Sequence, residues 1–225
     1  MKTLFIIMLT VFTTATFGQS NNIGLNGGIS LTNMTSENKH LYWPKYVPNF
    51  IGGISVTHAF KNRFIVSADI LYNRFGFKDA YKITVGDNVN VKTSYSSFYH
   101  NYDYLSVPIA AGISMGNKYF CNIKLGLVPS LLVDAKTTFQ GFDSNRNLTS
   151  SSTENTTSKT NRFDIGGIAT ISLGYKLSTK YAVVSDITYR QSFTSIPNSN
   201  YYVNRQIQNY GFTLTLGLRY TLTKN

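Results

Sequence analysis

From Tyr210 to Leu222 a large apolar residue falls on every second position: Tyr210, Phe212, Leu214, Leu216, Leu218, Tyr220 and Leu222. Gly211, Thr213, Thr215, Gly217, Arg219 and Thr221 lie between them. Side chains on a β-strand point alternately to opposite faces, so this run is a strand with one greasy side and one polar side. The same period recurs seven more times, over 23–31, 50–60, 64–73, 105–114, 119–131, 163–176 and 181–193. A tilted strand needs about 9–11 residues to cross a bilayer, whereas strands of soluble proteins commonly have about five or six. Every one of these segments reaches the longer class. Eight is also an even number, as single-chain bacterial barrels require.

The connections alternate as well. Lys61-Asn62-Arg63, Gly116-Asn117-Lys118 and Ser178-Thr179-Lys180 read as tight turns, and 32–49, 76–101, 135–161 and 194–209 read as long loops. Short turns at one end and long loops at the other is the layout of an outer-membrane barrel, with both termini at the short-turn, periplasmic end and the long loops extracellular. Residues 145–161, NRNLTSSSTENTTSKTN, are polar and of low complexity, and are expected to form a mobile loop. In 76–101, Tyr81, Tyr95, Phe98 and Tyr99, with Tyr102 just beyond, interleave with Lys78, Lys82 and Lys92. That stretch reads as strand extended beyond the membrane, with a site for an acidic glycan or a partner protein as the second reading.

Charge placement decides which face meets lipid. Asp69, Lys124, Asp164, Lys176, Asp186, Arg190 and Arg219 all have polar-face parity; only Arg74 and Asp103 have apolar-face parity, both at strand ends near the long loops. A Lys or Arg facing lipid at mid-bilayer costs about 2–4 kcal/mol, and an apolar-out barrel puts none there. Asp69, Lys124, Asp186, Arg190 and Arg219 then share a narrow interior as a polar network, in which Asp186 and Arg219 are placed to pair diagonally across the last hairpin. Phe60, Phe64, Tyr119, Tyr175, Tyr181 and Tyr220 sit on the apolar face at the short-turn ends. Phe50, Tyr72, Phe163, Tyr189, Phe193, Tyr210 and Phe212 sit toward the long loops. Two aromatic belts around a Leu/Ile/Val/Ala band are what the two membrane interfaces select. The expected fold is an all-β, eight-stranded antiparallel up-and-down transmembrane β-barrel over 19–225. The competing reading is an exported soluble barrel that holds a hydrophobic ligand.

The N-terminus supplies the route. MKTLFIIMLTVFTTATFGQS has a basic start, an apolar run and a small-residue end, which is a secretory signal peptide expected over 1–18. One cysteine, Cys121, excludes a disulfide scaffold. The formal charge of +11 comes without any basic run, so nucleic acid is not the expected partner. Anionic outer-membrane lipids and lipopolysaccharide are, with other envelope proteins meeting the loops.

No chemistry stands out. Of three histidines, His40 and His100 fall in long loops and His58 is expected to face lipid near the short turns. No spacing sets a His beside a Ser with an orienting acid, and no His/Cys cluster offers a metal site. The chain is therefore expected to be no enzyme and to carry no metal and no cofactor. An eight-stranded barrel is generally filled by its own side chains, so the inward charges are expected to plug the lumen. A narrow solute or ion pore is the alternative.

Three stretches carry a family likeness. Phe17-Gly18-Gln19, Tyr104-Leu105-Ser106-Val107-Pro108-Ile109 and Gly217-Leu218-Arg219-Tyr220-Thr221-Leu222 resemble the leader end, the recurring "Tyr-Leu-x-x-Pro-Leu" strand and the terminal strand of the Bacteroidetes-type outer-membrane β-barrel domain, of the porin family and PorT-like. The resemblance spans the mature chain. The residues point to the cell outer membrane and a structural or interaction role at the surface, and the resemblance implies membership of an envelope or export complex as a further possibility.

Overall fold

The computed structural model describes residues 20–36, 45–60, 63–87, 90–199 and 206–222; the expected signal peptide lies outside them. The strands are β1 (Ser20–Ser36), β2 (Lys45–Ala59), β3 (Phe64–Asp87), β4 (Asn90–Ser106), β5 (Ile109–Gly116), β6 (Tyr119–Phe142), β7 (Leu148–Asn155), β8 (Phe163–Lys176), β9 (Tyr181–Ser192) and β10 (Ile207–Leu222). All pairings are antiparallel, and β10 returns to β1, so the sheet closes on itself. Closure removes the sheet edges that a bilayer cannot solvate.

Eight staves make the wall, as the alternation predicts. β4 and β5 form a single stave, interrupted at Val107-Pro108: both run between β3 and β6. Proline has no N–H to give to the ladder. The neighbouring bonds survive the break, with Val107 N donating to Pro129 O at 2.9 Å and Asp69 N to Pro108 O at 3.0 Å. β7 stands outside the wall and pairs with β6.

The greasy face points out. Leu216 is 64% exposed and Leu25 66%, while Arg219 is 6% exposed. This orientation excludes the ligand-holding soluble barrel, in which the same leucines would line the interior. At the short-turn rim the six expected interface aromatics meet in pairs: Phe60 with Phe64 at 5.6 Å, Tyr119 with Tyr175 at 4.9 Å and Tyr181 with Tyr220 at 5.3 Å between ring centroids. At the other rim Phe50 stacks on Tyr72 and Tyr189 meets Phe212.

The stretch 76–101 is strand extended beyond the membrane over its described residues, as its first reading has it, and the long loop expected over 135–161 is largely strand too. β3 and β6 each run for 24 residues. β3, β4, β6 and β7 continue past the aromatic rim as a four-stranded sheet. The expectation of a mobile loop over 145–161 is corrected: 148–155 is β7, followed by a 3-10 turn at Thr157–Lys159. Serine and threonine read as loop by composition, but threonine fits a pleated surface, and the ladder of β6 gives this stretch its partner.

Candidate functional site: the barrel interior

The polar parity of each strand delivers a side chain to the lumen at every second residue. Asp69, Lys124, Asp186, Arg190 and Arg219 all point there, and all but Asp69 are buried. Asp164 joins them. The polar pattern puts Asp164 on the same face without setting it in the network, and its contact with Arg190 is the tightest ion pair there. Three carboxylates and three cations therefore fill the lumen without net charge, which is the only inexpensive way to bury ions.

The two ends of the lumen are built differently. A cavity of about 70 Å³ inside the lumen is lined by Asp69, Lys124, Asp186 and Asn26 toward the short turns and by Asn73, Phe75, Ser106 and Arg190 toward the long loops. Arg219 Nη2 lies 3.6 Å from Asp186 Oδ2. Asp186 Oδ1, Asn26 Oδ1 and Arg219 Nε have no protein hydrogen-bond partner. A polar cavity of this size takes water. Gly24 makes room here: a Cβ would come within 2.8 Å of Ser55 Oγ and 3.1 Å of Arg219 Cγ.

Further up, contacts tighten. Arg190 Nη2 donates to Asp164 Oδ2 at 2.5 Å and to Ser130 Oγ at 3.1 Å. Ser192 and Thr194 hydroxyls also donate to the Asp164 carboxylate. Ser130 and Ser106 hydroxyls bond at 2.7 Å, and Ser106 donates to Asn73 Oδ1 at 2.8 Å. This collar crosses β9, β8, β6, β4 and β3 in a continuous chain of polar contacts.

Above the collar the lumen turns apolar. Met34, Phe75, Phe77, Tyr102, Tyr104, Leu132, Ala135, Ile196 and Ile207 form one buried cluster. The Arg190 guanidinium lies 4.4 Å from the Phe75 ring centroid, so the collar and the plug are in contact. The β3 backbone itself tips inward to bring these rings over the lumen. Thr32 Oγ1 donates to Gly76 O at 2.7 Å and accepts from Gly76 N at 2.9 Å, and Ser30 Oγ donates to Arg74 O at 3.3 Å. Those bonds run from β1 to β3 past the intervening β2, whose register slips between Tyr46 and Ile51. Gly76 suits the close approach, since a Cβ would lie 2.5 Å from His100 O.

The plug is not visible as a unit in the sequence, because its nine residues come from separate segments of the chain. A signal was present: the inward parity of Asp69, Leu71 and Asn73 continues into Phe75 and Phe77. Arg74 and Asp103, of outward parity, form a bidentate pair at the rim with bonds of 2.6 and 2.8 Å.

One cluster runs against the expectation that no histidine neighbours a hydroxyl and an acid. In the sheet beyond the rim, His100 Nδ1 is 3.1 Å from Thr137 Oγ1, and His100 Nε2 is 3.8 Å from Asp79 Oδ2. His100 is stacked 4.5 Å from Phe77. Burial pushes His100 down to about 4 and Asp79 up to about 6, so His100 is neutral wherever Asp79 is charged. The 3.8 Å contact is too long for a hydrogen bond that would orient the ring, and the cluster is packed in the sheet. His58, by contrast, keeps its expected place near the short turns, with Nδ1 2.6 Å from Asn21 Oδ1. Among the described residues no group of acids, histidines and cysteine is arranged to hold a metal.

A closed antiparallel wall of eight staves matches what sequence comparison finds. The model of the outer membrane protein beta-barrel domain matches residues 17–198. The chain belongs to that family. Membership places it in the cell outer membrane. No curated protein matches the sequence. Solved structures similar to it include Neisserial surface protein A (13% identity, 90% of this chain and 98% of that one, TM-score 0.44). OprG from Pseudomonas aeruginosa is another (10%, 91% and 97%, 0.46). A third is Ail of Yersinia pestis (11%, 88% and 98%, 0.39).

Proposed function

We propose that this protein is a non-conducting, non-enzymatic outer-membrane anchor that presents the β3–β4–β6–β7 sheet at the cell surface for an interaction. The observation that carries the reading is the nine-residue apolar cluster seated over the ion-paired lumen. A conducting path needs a wetted lumen, and this cluster fills it just where the wall rises out of the membrane. The sheet above supports presentation: it is ladder-bonded and carries exposed Lys82, Arg146 and Glu154, with Lys78 4.6 Å from the Tyr99 ring centroid. In this reading the short turns and both termini face the periplasm. Lipids and lipopolysaccharide surround the wall, and the sheet meets other envelope or surface proteins. The finer likeness to the Bacteroidetes-type, PorT-like domains rests on Tyr104–Ile109 and Gly217–Leu222.

The test is to shorten the sheet. Joining Lys78 to Tyr99, which face each other across β3 and β4, through an Asn-Gly turn removes the tip and keeps the register. The shortened barrel should still fold, seen as heat-modifiable migration on a gel, while surface cross-links to neighbouring proteins in intact cells disappear. An unchanged cross-link pattern would contradict the presentation role.

A further inference from the structure

Among the described residues the short-turn rim carries cations and no acidic side chain. Arg63, Lys118, Lys176 and Lys180 are all exposed there. Lys61 and Lys224 flank the same end in sequence, outside the described residues. No Asp or Glu occurs in 1–36, 38–68, 104–133, 165–185 or 187–225, the stretches that hold the turns and both chain ends. Every carboxylate of the described residues lies in the lumen or on the long-loop side.

This arrangement is unfavourable by itself. Lys118 and Lys176 continue the ladder in which Tyr119 faces Tyr175, and Lys176 N donates to Lys118 O at 2.9 Å. Like charges opposite each other on neighbouring strands repel, and among the described residues no acidic side chain supplies a counter-charge here. The lysine is also directed. The Lys118 ammonium lies 5.5 Å from the centroid of the Tyr175 ring, which packs against Tyr119 on the lipid-facing girdle. That is where a long basic side chain reaches from the hydrocarbon edge to the head groups. Lys180 and Arg63, both exposed, directly precede Tyr181 and Phe64, two other members of the girdle.

We propose that this rim is a binding ring for anionic phospholipid head groups in the leaflet that the short turns enter. The inference rests on the membrane-anchor reading and adds to it the lipid class and the residues that select it. The head-group phosphate supplies the missing counter-charge, and the paired rings below hold the acyl chains beside it. A cation close to an anionic membrane surface contributes about fivefold in affinity, so four together give a preference that salt weakens.

The full-length protein would be inserted into phosphatidylcholine vesicles with and without phosphatidylglycerol, and lipid selection read from spin-labelled phosphatidylglycerol against spin-labelled phosphatidylcholine. The expected result is selection of the anionic lipid by about tenfold or more at low salt. The set Arg63→Gln, Lys118→Gln, Lys176→Gln and Lys180→Gln should abolish it. A charge-keeping set, Arg63→Lys with Lys118→Arg, Lys176→Arg and Lys180→Arg, should retain it and so excludes a folding defect. An equal loss of charge on the long-loop side, Lys78→Gln, Lys82→Gln, Arg146→Gln and Arg162→Gln, should leave it unchanged. Insertion without selection, or selection that follows the long-loop set, overturns the ring. Failure to insert in any vesicle contradicts the membrane reading itself.

Discussion

The two halves of the lumen solve the same problem by different means. Toward the short turns the Arg219–Asp186 contact is long, 3.6 Å, and Asp186 Oδ1, Asn26 Oδ1 and Arg219 Nε have no protein partner. Toward the long loops, Arg190 and Asp164 are 2.5 Å apart, capped by serine and threonine hydroxyls and covered by aromatic rings. The first half leaves its ions room for water, and the second satisfies its ions with protein groups at all but Arg190 Nε. The lower half therefore tolerates change, and the upper half holds the seal.

That contrast orders the effects of substitution. Asp164→Asn leaves a buried guanidinium with no counter-charge, and should cost about 3–5 kcal/mol, read from urea unfolding in vesicles. Thr32→Val strips the bonds that pull Gly76 over the lumen and should cost about 1–3 kcal/mol, with faster amide exchange at Gly76. Asp186→Asn in the wetted half should cost roughly 1 kcal/mol, because water replaces the lost partner. If Asp186→Asn proves as damaging as Asp164→Asn, the distinction between a wet and a dry half fails.

The smallest expected effect lies above the membrane. Asp79 is held at about 6 against an ordinary 3.8, so the folded sheet binds the extra proton and gains stability as pH falls from 6 toward 3.8. His100 is held at about 4 against an ordinary 6.5, so the unfolded chain takes the proton and the sheet loses stability as pH falls from 6.5 toward 4. The windows overlap and the signs oppose. Amide protection in β3 and β4, corrected for intrinsic exchange, should be nearly flat between those limits. His100→Gln should unmask a rise in protection on acidification, of at most about 1.4 kcal/mol per pH unit. Asp79→Asn should unmask a fall.

The wall was legible in the sequence because each membrane-spanning strand obeys one rule, and lipid enforces it: Arg219 and Leu218 differ in environment only through parity. The upper lumen was not, for three local reasons. Pro108 interrupts the ladder in the middle of a stave. Register slips between Asp103 and Tyr104 against Leu132 and Asp134, and again in β2 between Tyr46 and Ile51, break the period where the plug forms. Above the rim water replaces lipid, so Ser, Thr and Lys enter both faces and the alternation disappears although the strands continue. The Asp79–His100–Thr137 cluster brings together residues far apart in the chain, which no spacing rule records.

The seal is tested most directly by conductance in planar bilayers. The wild-type protein should be electrically silent, and Phe75→Ala combined with Tyr104→Ala, which removes the rings over the collar, should produce discrete current steps. Steps of the same size from the wild type would show that the lumen is open and that the cluster above the ions closes nothing.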